Sequence, residues 1–298
     1  MTDPQLQPYF DFASTMQPEI DKALDRFTQL GDDCPSKLRE AIRYSLLTPG
    51  KRLRPLLVLM AADVCGLPLM EALPAACAVE MVHCYSLVHD DLPAMDDDRL
   101  RRGRPTCHVA FGETLAILVG DALLAQAFHV LCQLERPAGC IARCCRELAF
   151  AAGPESLVGG QVDDLAGLPA DGNLADLERI HRRKTGALIK VSTRVGAILG
   201  DADTATLAAL DTYSQNLGLA FQITDDLLDI RGSSGVLGKT AGKDAAQGKI
   251  TYPTLLGETA SRQRTEDLIA EARDALRPFG QQAAHLDALA QFILHRDR

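Results

Sequence analysis

Apolar residues recur at helical spacing along most of the chain. Leu38, Ile42, Tyr44, Ser45 and Leu46 wind around a segment that stops at Thr48-Pro49-Gly50, a proline-glycine break. The same period runs through Leu56–Val64, Ala72–His89, Glu113–Leu134, Ile141–Ala151, Leu174–Leu199, Thr206–Ile230 and Tyr252–Leu276. No run of alternating β-branched residues appears, and no hairpin signal flanked by one. Two longer breaks stand out, Gly153–Gly172 and Arg231–Gly248. The second carries five glycines and, counting Lys249, three lysines. With no internal repeat and no compositional linker, the pattern predicts one all-α domain over residues 1–298.

Composition narrows the class. The 298 residues are 47% hydrophobic and 24% charged, which excludes disordered and low-complexity chains. Forty acids against 31 bases argue against a nucleic-acid surface. The N-terminal stretch has neither a basic region nor an apolar core, so no secretory signal is expected. The runs Leu56–Met70 and Leu115–Cys132 are interrupted by Asp63, Pro68 and Asp121, and no stable membrane insertion is expected. Nine irregularly spaced cysteines read as reduced thiols in a cytoplasmic protein. Cys132, Cys140, Cys144 and Cys145 form no CxxC pair and read as small apolar residues.

The acids are unevenly built: 28 Asp against 12 Glu, with eight of the aspartates in two knots. His89-Asp90-Asp91-Leu92-Pro93-Ala94-Met95-Asp96-Asp97-Asp98 follows a helical run. Leu92 precedes a proline, so that helix should end near Asp91, with Asp96 returning from the next turn. Asp225-Asp226-Leu227-Leu228-Asp229 lies within a helix and stacks Asp225 over Asp229. Both knots sit in apolar sequence, where a merely solvated acidic face would have polar flanks. Crowded short carboxylates beside apolar walls call for a hard cation, and Mg²⁺ suits them, completed by substrate phosphates.

Phosphates in turn need basic groups. Four short clusters supply them: Lys51-Arg52-Leu53-Arg54, Arg99 through Arg104, His181-Arg182-Arg183-Lys184-Thr185-Gly186, and the glycine-rich stretch with Lys239, Lys243 and Lys249, which reads as a lid. Gly232–Thr240 imitates a P-loop, but its spacing is one residue long and it follows a helix. Glu80/His83 and Glu178/His181 form two Glu-x-x-His pairs of the di-iron bundle type. That reading leaves the aspartate knots unexplained and sets His181 beside three cations.

Together DDLPAMDDD with RRGRPT, HRRKTG, and FQITDDLLDI resemble the bacterial-type short-chain trans-polyprenyl diphosphate synthases, over roughly residues 50–256. The resemblance implies the isoprenoid synthase fold, a bundle of long, mostly antiparallel helices around a central cavity, and a homodimer. It implies three Mg²⁺ held by Asp90, Asp91, Asp96, Asp225, Asp226 and Asp229. Lys51, Arg54, His83 and Arg102 would bind isopentenyl diphosphate. Arg101, Lys184, Thr185, Gln222, Lys239 and Lys249 would hold the allylic diphosphate, with Gln161, Thr185 and Gln222 flanking the reacting carbons. Lys184, Thr185, Gln222 and Lys239 would carry catalysis. Arg99 departs from the aspartate that close relatives often carry, outside the metal ligands. Tyr85 and Ser86, five and four residues before Asp90, would limit product length, pointing to farnesyl diphosphate. Geranyl or geranylgeranyl diphosphate would be the same chemistry with another stop. A terpene cyclase or a non-catalytic subunit fits less well, because two diphosphate subsites and both sets of ligands are intact.

Overall fold

Three apolar helices with almost no polar face set the centre of the molecule. In the computed structural model, which describes residues 3–168, 172–230 and 250–296, these are α3 (Leu53–Val64), α4 (Leu69–Asp90) and α10 (Ala187–Leu199). Leu56, Leu57, Val58, Leu59, Ala61 and Ala62 of α3 are fully buried. Each such leucine contributes about 1.5–3 kcal/mol by leaving water. Around this centre pack α1 (Gln7–Phe27), α2 (Ser36–Leu46), α6 (Glu113–Cys132), α7 (Ala138–Ala152), α8 (Leu157–Ala166) and α11 (Thr204–Ile230). The chain closes with α12 (Tyr252–Leu256), α13 (Glu258–Ala275), a 3₁₀ segment Arg277–Ala283 and α14 (Ala284–His295). Buried side chains from these helices join one contiguous core.

The all-α expectation holds, with local departures that matter for the site. RRGRPT forms a two-stranded hairpin, β1 (Leu100–Arg101) and β2 (Arg104–Pro105), followed by the short α5 (Cys107–Phe111). The stretch expected to be one helix from Leu174 to Leu199 is three pieces: α9 (Leu174–His181), a π-helical turn over Arg182–Gly186, and α10. Asn173 starts α9 with a capping box to Asp176. Tyr252–Leu276 is likewise split, at Gly257, whose φ of 80° no L side chain adopts easily. The break Gly153–Gly172 contains α8, which carries Gln161. Helices α1 and α14 lie outside every predicted segment, yet Met16, Ile20, Leu24, Leu286, Leu289 and Ile293 are buried.

Helix α6 is long and apolar enough to cross a membrane by length and composition, at a mean hydropathy of 1.9. One face packs on α4, burying Val119, Leu123 and Ala127. The opposite face leaves Ile117 and Leu118 exposed, with Asp121 one turn on.

Candidate active site

The first knot is shaped by backbone hydrogen bonds more than by its side chains. Helix α4 ends at Asp90 with Asp91 as its C-cap, as Leu92-Pro93 requires. The Asp96 amide then donates to the Asp90 carbonyl (2.8 Å) and the Asp98 amide to that of Asp91 (3.2 Å). The loop therefore curls back and sets Asp96 against Asp90. Burial, then the neighbouring carboxylates Asp96 and Asp91, push the Asp90 carboxyl up to about 6, against the pull of Lys184 and Arg101. Asp91 is buried and takes the Arg101 guanidinium, Nε at 2.8 Å and Nη2 at 2.6 Å from Oδ1. The hairpin makes that return possible. Arg102 and Gly103 have φ of 52° and 74°, a type I′ turn, so Arg101 folds onto Asp91 while Arg102 reaches the Thr48 and Pro49 carbonyls.

A second group of charges gathers one helix away. The Arg54 Nη1 lies 3.1 Å from the His83 Nε2, two turns before Asp90 on α4. Lys51, Arg54, His83 and Arg102 all hold their protons less firmly than usual, each through desolvation first. Arg54 falls to about 10, and Arg102 adds to that fall. His83 lies well below its ordinary value, depressed further by Arg54, Arg102, Arg101 and Arg52. Desolvated cations without a carboxylate partner, set beside a neutral imidazole, suit an anion. Arg52, in the same motif, is different: its φ of 48° turns the side chain inward onto Asp21 and Glu80. Left-handed backbone costs a non-glycine residue about 1–2 kcal/mol. A small cavity of about 50 Å³ reaches His83 and Arg102 from the side of α2 and the hairpin, and touches neither Lys51 nor the second knot.

The second knot faces the same cations, since Asp225 acts electrostatically on both Lys51 and Arg54. Asp225 accepts from the Arg296 Nη2 at 3.1 Å, and the Arg296 guanidinium stacks 4.6 Å from the Phe221 ring centre. Asp226 is buried and accepts the Tyr252 amide at 3.1 Å. Asp229 is buried on the same helix, and Gln222 is half-buried one turn earlier than Asp226. The π-helical turn brings up Lys184, 2.6 Å from Asp164 of α8, with Thr185 half-buried beside it. Turns of this kind occur mostly where function requires a helix to deviate. Both amide atoms of the buried Gln161 lack a hydrogen-bond partner among the described residues.

The structure thus gathers the predicted residues in two arcs, except Lys239 and Lys249, which with Lys243 lie outside the described residues. No three His, Cys, Asp or Glu groups among the described residues converge on one ready-made cation position. The donor chemistry nevertheless suits Mg²⁺, because crowding and burial make Asp90 a carboxylate in want of a cation. Glu80 and Glu178 are satisfied without metal: Glu80 pairs with Arg52, and Glu178 with Arg182, Arg264 and the Tyr252 hydroxyl. Two positions escaped the sequence reading. Arg296 sits at the end of the chain with one buried Nη1 unpartnered among the described residues. Tyr252 is fully buried between the second knot and Glu178. Tyr85 is buried, its hydroxyl 3.5 Å from the Ala152 carbonyl and its ring edge-on to His89, while the Ser86 hydroxyl donates to the His83 carbonyl. Arg99 is exposed, and its carbonyl accepts the Thr106 amide.

Comparison with known proteins agrees with this geometry. The polyprenyl synthetase family model matches residues 35–284. A farnesyl diphosphate synthase of Geobacillus stearothermophilus is 42% identical over 96% of this chain and 97% of its own. A geranylgeranyl pyrophosphate synthase of Catharanthus roseus is 46% identical over 97% of this chain and 82% of its own. An FPP/GFPP synthase from Zymomonas mobilis superposes with a TM-score of 0.86 at 35% identity, covering 96% of this chain and 99% of that one. With its helical fold, paired aspartate knots and facing cations, the chain belongs to the polyprenyl synthetase family and is a short-chain trans-prenyltransferase.

Proposed function

We propose that the enzyme condenses isopentenyl diphosphate head-to-tail with dimethylallyl and then geranyl diphosphate, releasing diphosphate and farnesyl diphosphate. The observation that carries this is the coexistence of two kinds of anion-binding group. Desolvation first of all lowers the proton affinity of Lys51, Arg54, His83 and Arg102. Arg101 and Lys184 are held by the carboxylates Asp91 and Asp164. The first set receives the isopentenyl diphosphate, whose charge it lacks. The second, with Asp90, Asp96, Asp225, Asp226 and Asp229, receives the allylic diphosphate. The donor set suits three Mg²⁺, which when bound would neutralise charge developing on the leaving diphosphate.

Arg101 and Lys184 hold that diphosphate as its bond to the allylic carbon breaks, which is where the transition state gains charge. Thr185 and Gln222 present oxygens that stabilise the allylic cation without trapping it. The isopentenyl double bond attacks that cation, and the new C–C bond leaves a tertiary cation. Loss of a proton to the departing diphosphate restores the double bond. Apolar walls exclude the water that would otherwise quench the cation.

Product length follows from Tyr85. Its ring is buried on α4 five residues before Asp90, its hydroxyl 3.5 Å from the Ala152 carbonyl at the end of α7, where it would stop a growing chain. The exposed Ile117, Leu118, Phe150, Val158 and Val162 of α6, α7 and α8 give a homodimer its contact face.

Incubation with isopentenyl diphosphate, each allylic primer and Mg²⁺, followed by product sizing, tests the proposal. A C15 product is expected, and Tyr85→Ala should lengthen it. No Mg²⁺-dependent elongation would sink the functional reading. A C20 product from the unaltered enzyme would move it to the geranylgeranyl class.

A further inference from the structure

We propose that Arg52 is the positioning residue of the isopentenyl diphosphate subsite: one buried guanidinium fixes where Lys51, Arg54, His83 and Arg102 stand. The inference rests on the subsite assignment made above. Lys51, Arg52 and Arg54 are three cations within four residues, and by sequence any of them could clasp a phosphate. The backbone separates them. At φ 48° and ψ 37° Arg52 caps α3 in the left-handed region and directs its side chain into the core, where it is 3% exposed.

There it donates in four directions: Nε to Asp21 (2.8 Å), Nη1 to Glu80 (2.9 Å), and Nη2 to the Leu46 and Thr48 carbonyls (3.1 Å each). Glu80 is equally buried at 3%. The carboxylates of Glu80 and Asp21 raise the proton affinity of Arg52, in contrast to its depressed neighbours. Its charge is already matched, so it acts on a diphosphate through other groups.

Each of those groups is referenced to it. Lys51 precedes it and Arg54 follows on the first turn of α3; the Lys51 carbonyl is also held by Gln17 Nε2 at 2.9 Å. The Thr48 carbonyl that accepts from Arg52 accepts Arg102 Nη1 at 3.2 Å. Glu80 lies one helical turn before His83 on α4, so the Arg52–Glu80 pair ties the loop to the turn that presents the imidazole. The allylic cations are anchored elsewhere, Arg101 to Asp91 and Lys184 to Asp164. Losing Arg52 geometry should therefore damage one substrate's site and spare the other.

The test is Arg52→Lys in the full chain, with KM for isopentenyl and for geranyl diphosphate measured separately alongside thermal unfolding. Lysine keeps the charge but cannot reproduce a planar fork to several acceptors. We expect KM for isopentenyl diphosphate to rise at least tenfold, with KM for geranyl diphosphate within twofold of the unaltered enzyme. Asp21→Asn removes only the negative charge of the half-exposed partner and should give a smaller rise, two- to fivefold, with the same selectivity. An unchanged isopentenyl KM in Arg52→Lys, or parallel rises in both KM values, overturns the inference. Should Arg52→Lys fail to fold, Asp21→Asn decides by the same criterion. Absence of elongation by the unaltered enzyme would instead take down the functional reading itself, and this inference with it.

Discussion

Two anion-binding regions lie on either side of the first aspartate knot, and they are prepared in opposite ways. Arg101 and Lys184 are already paired, 2.6 Å from Asp91 and 2.6 Å from Asp164. Lys51, Arg54 and Arg102 have no ion pair among the described residues, and like His83 they hold their protons less firmly, through desolvation first. The paired region gains little from a bare diphosphate, because its cations must first leave carboxylates. Under the proposed function, metal held by the first knot would engage Asp91 and free Arg101 for the diphosphate. The unpaired region holds cations whose charged form desolvation disfavours, and a diphosphate can pair with them directly. On that reading the paired subsite would depend on metal, while the unpaired one would not.

The most severe way to break this contrast is at Asp90. Asp90→Asn should lower the elongation rate on the order of 10²–10³-fold, because the leaving diphosphate loses its electrostatic support. Steady-state turnover at saturating Mg²⁺ would show it, and a loss under tenfold would remove Asp90 from the metal set. Chelation of Mg²⁺ sharpens the comparison directly. Calorimetry should find isopentenyl diphosphate binding within twofold of its metal-loaded value, and allylic diphosphate binding weakened at least tenfold. Equal metal dependence for the two ligands would erase the distinction.

The smallest effect is on stability. His83 resists protonation in the fold, while in the unfolded chain it titrates near its ordinary 6.5. Below that pH the unfolded chain binds a proton that the native protein refuses, so stability falls as pH falls. The slope is at most about 1.4 kcal/mol per pH unit. Denaturant unfolding between pH 7.5 and 5.5 should lose stability more steeply in the unaltered protein than in His83→Gln, with the opposing contribution of Asp90 common to both. Identical slopes would mean that neither burial nor the surrounding cations keep His83 neutral in the fold.

Much of this was legible in the residues, and the illegible parts share a cause. The knots could be read because short carboxylates flanked by Leu87-Val88 and Phe221-Gln222-Ile223 have few other uses. The end of α4 could be read because proline constrains the residue before it. What could not be read depends on the sign of a backbone angle or the width of a turn. Nothing in Lys51-Arg52-Leu53-Arg54 says that the middle cation turns inward, since that follows from a single positive φ. The π-helical turn leaves the apolar period of Leu174–Leu199 nearly intact, so it is invisible to periodicity. The hairpin at Arg102-Gly103 hides behind a charged residue in a position usually given to asparagine or glycine. Helix α1 was masked by Pro8 and Pro18, which read as punctuation although the helix accommodates both.

The close packing around Lys184 also bears on how this protein can change over time. A methyl group built on Gly160 would come within 2.4 Å of the Lys184 amide nitrogen, and one on Gly218 within 3.1 Å of the Gly186 α-carbon. At Gly31 and Gly139 the same methyl would meet nothing within 4 Å. The most modest replacement available to a glycine thus meets open space at two places and the backbone of the π-helical turn at two others. On the proposed function, change toward longer products would fall at Tyr85 and Ser86. The wall that carries Lys184 has little room for change, because Gly160 and Gly218 already sit in close contact there.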